Sequence, residues 1–275
     1  GSTEDIRNGK WELNTDCASA IISPDPIHKG IVIIENGETS TRKVDVVFPV
    51  LHGKNGEDGT VQGLLDMARI PYVGCGLLAS AACMDKAHTH MVLDYHNIKT
   101  ARWRMITHRN MNHLDKQYEE IAEELRFPLF VKPVNCGSSI GINKANGFEE
   151  LDDAVKTAFS HDNKVIIEEF IKGRELEVAV AGYDSPYASY VGEIKACNDF
   201  YDYDAKYVLG DSELCIPADI DDEKMKEIRE TAIKAYKVLG CKGLSRVDFF
   251  MTENGDVYLN EINTQEVCKE LQKLK

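Results

Sequence analysis

A near-continuous β-branched run at residues 44–50, V-D-V-V-F-P-V, leads directly into a glycine-rich loop at residues 52–59. Apolar residues that follow one another without alternation predict a strand covered on both faces, as in a parallel sheet. A helix is expected from Thr60, with Val61, Leu64, Leu65 and Ala68 at helical spacing, and Pro71-Tyr72-Val73-Gly74 returns to extended chain. Strand, glycine loop, helix and strand form the alternation of an α/β layer. The preceding 40 residues carry little periodicity: Pro24 and Pro26 interrupt them, and G-I-V-I-I-E at residues 30–35 reads as a short strand. They do not read as a complete domain.

Further along, one helix is expected over residues 79–96, extended chain over 99–106 and an amphipathic helix over 112–126. A strand at 128–133 has a lysine, Lys132, near its end and runs into a loop of small residues at 136–141. A helix at 148–160 and strands at 164–170 and 176–182 complete this block. Over residues 221–239 the positions Met225, Ile228, Ala232, Ala235, Tyr236 and Leu239 make one apolar helical stripe, with Gly240 as its stop. Strands at 244–251 and 257–262 follow, joined through Asn254-Gly255, a strong hairpin signal.

The formal charge is −14, from 32 Lys+Arg against 46 Asp+Glu, which opposes nucleic acid and anionic membrane as partners. With 43% hydrophobic and 28% charged residues the chain has the composition of a globular protein, and no apolar run reaches the roughly 20 residues that span a bilayer. Residues 1–5 carry neither a basic nor an apolar leader segment, and Gly1-Ser2 reads as a cloning remnant, so secretion is not expected. The 8 cysteines contain no C-x-x-C pair and lie in or beside apolar stretches, which predicts reduced, mostly buried thiols of a cytoplasmic protein. His88 and His90 alternate but lack companions at ligand spacing, so they read as two polar positions on a helix.

Three constellations carry chemistry. Lys132 with the loop at 136–141 could hold a phosphate, because small residues let backbone N–H groups approach it and the lysine adds a compact charge. The loop also reads as a tight turn and nothing more. On the C-terminal hairpin, Arg246 and Asp248 share one face, as do Glu261 and Asn263, since each pair is two residues apart on a strand. If the strands pair across Asn254-Gly255, hard oxygen ligands suited to Mg²⁺ meet a guanidinium placed for developing negative charge. Polar alternation on a half-solvated sheet is the other reading. Glu168-Glu169-Phe170-Ile171, with Glu175 beyond, could hold a purine and its ribose, or form a charged hairpin.

In this order the stretches resemble the D-alanine-D-alanine ligase family of ATP-grasp enzymes, which includes the vancomycin-resistance ligases. The matching segments are residues 52–63 (H-G-K-N-G-E-D-G-T-V-Q-G), 84–86 (M-D-K), 130–141, 200–207 (F-Y-D-Y-D-A-K-Y), 240–248 and 260–264 (N-E-I-N-T). Several blocks, residues 44–59 and 245–248 among them, look closest to VanG-type D-alanine-D-serine ligases. The resemblance implies an α/β chain of α+β ATP-grasp type: a partial N-terminal parallel-sheet domain at residues 1–85, a central subdomain at 86–173 and a C-terminal subdomain at 174–275.

It further implies ligation of D-alanine to D-serine, or else to D-alanine, through a D-alanyl phosphate in peptidoglycan precursor synthesis. The cofactors implied are ATP and two Mg²⁺, with Mn²⁺ able to substitute; the partners are small molecules, in the cytoplasm, and a homodimer is compatible. Lys86 and Lys132 would hold phosphates, with Ser138 closing the phosphate loop. Glu168, Glu169, Phe170 and Ile171 would surround adenine and Glu175 the ribose. Lys206 would reach the γ-phosphate from a mobile loop and Tyr207 the first D-alanine. Arg246 would stabilise the acyl phosphate and tetrahedral species, Asp248, Glu261 and Asn263 would bind metal, and His52 and Glu57 would lie on the acceptor side. Tyr207 argues against a D-lactate ligase, where the family usually has histidine. Two departures stand out: the family's Gly-Gly-x-Ser-x-Glu opening loop has no complete copy here, and residues 265–275 differ from its Pro-Gly-x-Thr and acceptor-binding segment. On that ground the chain is expected to bind ATP and to ligate weakly, and a nucleotide-binding protein of the same fold without turnover is the second reading.

Overall fold

The computed structural model describes Glu4 and residues 17–110, 114–137, 139–195 and 213–264. The chain divides into two compact units, one of residues 1–48 and 62–73, the other of residues 49–61 and 74–275.

In the first unit, strands β1 (Ser19–Ile22), β2 (Gly30–Glu35) and β3 (Glu38–Lys43) form an antiparallel three-stranded sheet. Only β2 was legible in the sequence. The predicted strand at 44–50 shrinks to a single parallel bridge, Val47 with Tyr72, and the strand expected at 71–74 shrinks with it. The reason is exposure: Val46 and Phe48 stand half in solvent, so this run lacks the cover on both faces that extends a parallel ladder. Helix α1 (Thr60–Ala68) follows as expected and buries Leu65 and Ala68.

The second unit holds two antiparallel sheets. The first takes β4 (Trp103–Thr107), β5 (Leu129–Pro133), β6 (Asn143–Ala145) and β7 (Lys164–Glu169) in the order β4-β7-β5-β6. Side chains alternate across a strand, so Leu129 and Val131 point to one face and Phe130 and Lys132 to the other. The first face, with Val165, Ile167 and Ile106, packs on helices of residues 114–125 and 148–159 through Tyr118, Ile121, Leu125, Leu151, Val155 and Ala158. The opposite face is left for chemistry.

The second sheet contains β8 (Arg174–Gly182), β9 (Tyr187–Ala188), β10 (Gly192–Lys195), β11 (Glu213–Cys215), β12 (Gly243–Met251) and β13 (Val257–Asn263), ordered β11-β10-β8-β12-β13 with β9 beside β8. The long helix at residues 222–238 covers one face, placing Ile228, Ala232, Ala235 and Tyr236 on Val178, Val180, Val247 and Phe249. Gly240, at φ +70°, stops it as predicted. Gly173 lies against β12, where a Cβ would stand 2.4 Å from the Met251 carbonyl oxygen, so only glycine fits in the turn between β7 and β8.

The single helix expected over 79–96 is two: α2 (Leu77–Met84) and α3 (Lys86–Tyr95). Asp85 separates them, its extended backbone ending α2 while its carboxylate accepts from the His88 N–H and caps α3. The sequence hides this break because both helices are apolar on one side. Cys75, Cys83 and Cys241 are buried free thiols, whereas Cys17 is exposed. No helix among the described residues is long and apolar enough to cross a membrane.

Candidate active site

The site is built in the second unit, on the open faces of both sheets. On β5 and β7, Phe130 stands opposite Glu168 and Lys132 opposite Ile166, so Lys132 and Glu168 share a face one pleat apart. Their ends meet at 2.7 Å, with side chains 11% and 6% exposed. The Lys132 ammonium also lies 3.5 Å from Asn260 Oδ1 on β13, which ties the two sheets together. Burial alone would raise the Glu168 carboxyl, but Lys132 and His90 outweigh it and hold it well below the usual carboxylate range.

Lys86 opens α3 immediately after the Asp85 cap. Its backbone N–H donates to the Val134 carbonyl and its ammonium to the Cys136 carbonyl at 2.6 Å. Burial lowers its pKa; Glu261 and Glu168 pull upward, Lys132 adds to the lowering, and the net direction is down. Lys86 is therefore within electrostatic reach of Lys132, Glu168 and Glu261, which stand on three different strands. Asp85 fixes this arrangement a second way, through an ion pair with Lys164 on β7.

The hairpin forms as the Asn254-Gly255 signal implies. Arg246 is opposite Asn263 and Asp248 opposite Glu261, with a bulge directly after Asp248. Neighbouring β8 places Glu177 opposite Asp248 on the same face. Arg246 donates from Nε to Asp248 Oδ1 at 2.7 Å and from Nη2 to Oδ2 at 2.8 Å, while its Nε is 3.5 Å from Glu177 Oε1. Asn263 Nδ2 donates to Asp248 Oδ2 at 3.0 Å and approaches Glu261 Oε1 at 3.5 Å. Burial raises the Asp248 carboxyl and Arg246 only partly offsets it, with Glu177 and Glu261 adding to the rise.

That excess of buried negative charge and hard oxygen is what a divalent cation fits. Asp248 Oδ1 keeps a second lone pair, and turning over the Asn263 amide would free one on Oδ2 and offer the asparagine oxygen as well. Among the described residues no group of three His, Cys, Asp or Glu side chains could hold an ion alone, so the asparagine and substrate oxygens would complete the shell.

The glycine loop brings a further carboxylate. Glu57 Oε2 accepts from the Gly53 N–H at 2.6 Å, while Oε1 is buried without a hydrogen-bond partner. Burial raises its pKa, the Gly53 N–H and nearby His52 and Arg246 oppose the rise, and Glu261 adds to it. Thr264, just past β13, donates to the Glu57 carbonyl at 3.4 Å. His52 itself is exposed.

The remaining expected residues fall as follows. Glu169 is turned to Arg102, which holds it with a backbone N–H at 2.8 Å and Nε at 2.7 Å. Phe170 stacks on Phe130 at 5.5 Å between centroids, and Lys144 sits 4.4 Å over its ring. Ile171 is half-buried; Glu175, also half-buried, is opposite Phe250 and shares a face with Glu177. Ser138, Lys206 and Tyr207 lie outside the described residues. Sequence reasoning missed His90, whose Nε2 is 3.1 Å from Glu168 Oε1, and Glu177. Both had a signal: His90 is four residues after Lys86 on one helix face, and Glu177 is two after Glu175 on one strand face.

A family model described as "D-ala D-ala ligase C-terminus" matches residues 92–266, and one described as "D-ala D-ala ligase N-terminus" matches residues 4–75. The chain belongs to the D-alanine-D-alanine ligase family. Its members are ATP-dependent ligases of the ATP-grasp fold that use a divalent metal. The D-alanine-D-alanine ligase of Acetivibrio thermocellus is 45% identical over 96% of this chain and 74% of its own length. D-alanine-D-alanine ligase B of Clostridium tetani is 46% identical over 96% and 70% respectively. Among solved structures, the VanG D-Ala:D-Ser ligase of Enterococcus faecalis superposes with a TM-score of 0.86 at 40% identity, covering 100% of this chain and 79% of that one. The D-alanine-D-alanine ligase of Coxiella burnetii gives 0.77 at 30% identity over 98% and 70%.

Proposed function

We propose that the protein joins D-alanine to a second D-amino acid at the expense of ATP, making the terminal dipeptide of a peptidoglycan precursor in the cytoplasm. The observation that carries this reading is the Arg246, Asp248, Glu261 and Asn263 cluster, with Lys86 within electrostatic reach of Glu261 and Lys132 3.5 Å from Asn260 Oδ1 on the same hairpin. Phosphate cations face metal carboxylates, and an arginine stands among them.

In this reading Lys86 and Lys132 take the phosphates and Glu168 meets the base, with the chain at Phe170 and Ile171 beside it and Glu175 at the ribose. Asp248, Glu261 and Asn263 would hold two Mg²⁺, which when bound would neutralise charge in phosphoryl transfer. A D-alanine carboxylate oxygen attacks the γ-phosphorus and ADP leaves. The acceptor amine then attacks the acyl carbon, phosphate departs with the bridging oxygen, and the new amide loses a proton. Arg246 meets the charge that builds on the transferred phosphoryl and the tetrahedral carbon. Glu57 and His52 lie toward the acceptor, with Ser138, Lys206 and Tyr207 completing the lid and phosphate loop. The two halves of the nucleotide site correspond to residues 86–173, which build the four-stranded sheet, and 174–275, which build the six-stranded one.

D-serine is the acceptor that the sequence wording and the VanG neighbour favour; the curated relatives favour D-alanine. Dipeptide formation from D-alanine with D-serine, D-alanine and D-lactate in competition tests both levels. A D-alanyl-D-amino acid as main product supports the reading, its identity names the acceptor, and D-alanyl-D-lactate as main product overturns it.

A further inference from the structure

Glu168 is a buried carboxylate held by a lysine and a histidine, and ATP competes for the lysine. Lys132 is 2.7 Å from Glu168 Oε2, yet the proposed nucleotide site requires its ammonium for phosphate. A buried carboxylate stripped of its counter-charge costs several kcal/mol. The other neighbour is His90, on α3 and 3% exposed, whose Nε2 lies 3.1 Å from Glu168 Oε1. Its Nδ1 lies 3.0 Å from Thr100 Oγ1, and that hydroxyl is 3.2 Å from the Ala101 carbonyl and 3.4 Å from Asp94 Oδ1, either of which can take its single hydrogen. With the hydroxyl hydrogen so directed, both ring nitrogens lie at oxygens able to accept from them. The Trp103 ring, 5.3 Å away, covers it. The charged groups around this pair are Glu168 on β7, Lys132 on β5, and Lys86 and Asp94 on the same helix as His90.

We propose that His90 is a positioning residue that keeps the Glu168 carboxylate oriented and hydrogen-bonded when Lys132 turns from it to the phosphates of the nucleotide. Lys132 is thereby released for phosphate without leaving an isolated buried charge behind. His90 touches neither phosphate nor base; it acts through Glu168. The inference rests on the nucleotide site proposed above.

The mechanism has a signature that a general packing role lacks. Adenosine has no phosphates, so Lys132 stays on Glu168 and His90 is not required. Calorimetry on the full chain should therefore find ATP binding weakened at least about tenfold in His90→Gln, with adenosine affinity changed by less than about threefold. In a Glu168→Gln background, where no carboxylate is left behind, the same His90→Gln change should cost ATP affinity less than about threefold. Thr100→Val removes the acceptor for Nδ1 and should shift ATP affinity in the same direction by a smaller factor; it carries the test if His90→Gln lowers the melting temperature enough to unfold the protein. Equal weakening of ATP and adenosine, or a full penalty that persists beside Glu168→Gln, overturns the role of His90. Unchanged ATP affinity in Lys132→Ala overturns the nucleotide site itself and this inference with it, and is distinguishable because His90 is intact in that variant.

Discussion

Arg246 holds Asp248 by two parallel bonds, Nε to Oδ1 at 2.7 Å and Nη2 to Oδ2 at 2.8 Å, two residues apart on one strand. The planar fork fixes the carboxylate's orientation while leaving a lone pair on Oδ1 for metal, the second on Oδ2 being taken by Asn263 Nδ2. An ammonium can bond one oxygen at a time. Arg246→Lys should therefore lower kcat for D-alanine-dependent phosphate release by roughly 10² or more, a loss that saturating Mg²⁺ does not restore. Near-full turnover in this variant would remove Arg246 from the chemistry.

Glu168 predicts a pH dependence. Its folded pKa is depressed below the ordinary 4.5, by Lys132 and His90 against the opposing effect of burial. A depressed acid stabilises the fold above its unfolded pKa, and that contribution is lost as pH falls through the lower, folded value. Glu168→Gln should cost roughly 3 kcal/mol at pH 7, where it strands a buried Lys132. The difference in urea midpoint between wild type and variant should narrow steadily below about pH 4.5. A difference independent of pH would show that the Glu168 charge contributes nothing.

The Asp85 cap predicts a coupled loss. Asp85→Ala removes the acceptor for the His88 N–H and the partner of Lys164. Stability should fall by about 1–2 kcal/mol. ATP affinity should fall as well, because Lys86 begins the helix that the cap orients. Asp85→Asn retains a cap and should recover most of the stability in thermal denaturation.

Glu169 makes a contrasting case. Its carboxylate is committed to Arg102, whose side chain is more than half exposed. Such a pair contributes about 1 kcal/mol or less. Glu169→Ala should leave ATP affinity within about threefold of wild type, so any part this residue has in holding adenine is played by its backbone. A tenfold loss by calorimetry, about 1.4 kcal/mol, would place its side chain at the nucleotide.

The C-terminal hairpin was legible because two local rules agreed: Asn254-Gly255 set the turn, and two-residue spacing put Arg246, Asp248, Glu261 and Asn263 on one face. The helix at residues 222–238 was legible for a similar reason, its apolar stripe lasting long enough to exclude a strand. What failed was whatever depends on partners. The run at 44–50 looks like a buried strand, yet how far a strand extends is decided by its neighbours. His90 read as one of two polar positions on a helix, and only the approach of β7 makes it a buried partner for Glu168. Asp85 capped a helix start inside what read as one helix, since the sequence on both sides favours helix equally.

The central claim is that a D-alanine carboxylate is phosphorylated by ATP and then captured by an amine. D-alanine carrying ¹⁸O in its carboxylate, incubated with ATP, Mg²⁺ and a D-amino acid acceptor, tests this directly by mass spectrometry of the products. One ¹⁸O should pass to inorganic phosphate for each dipeptide formed, because the bridging oxygen leaves with the phosphoryl group. Phosphate released without ¹⁸O, or no dipeptide at all, would contradict the account.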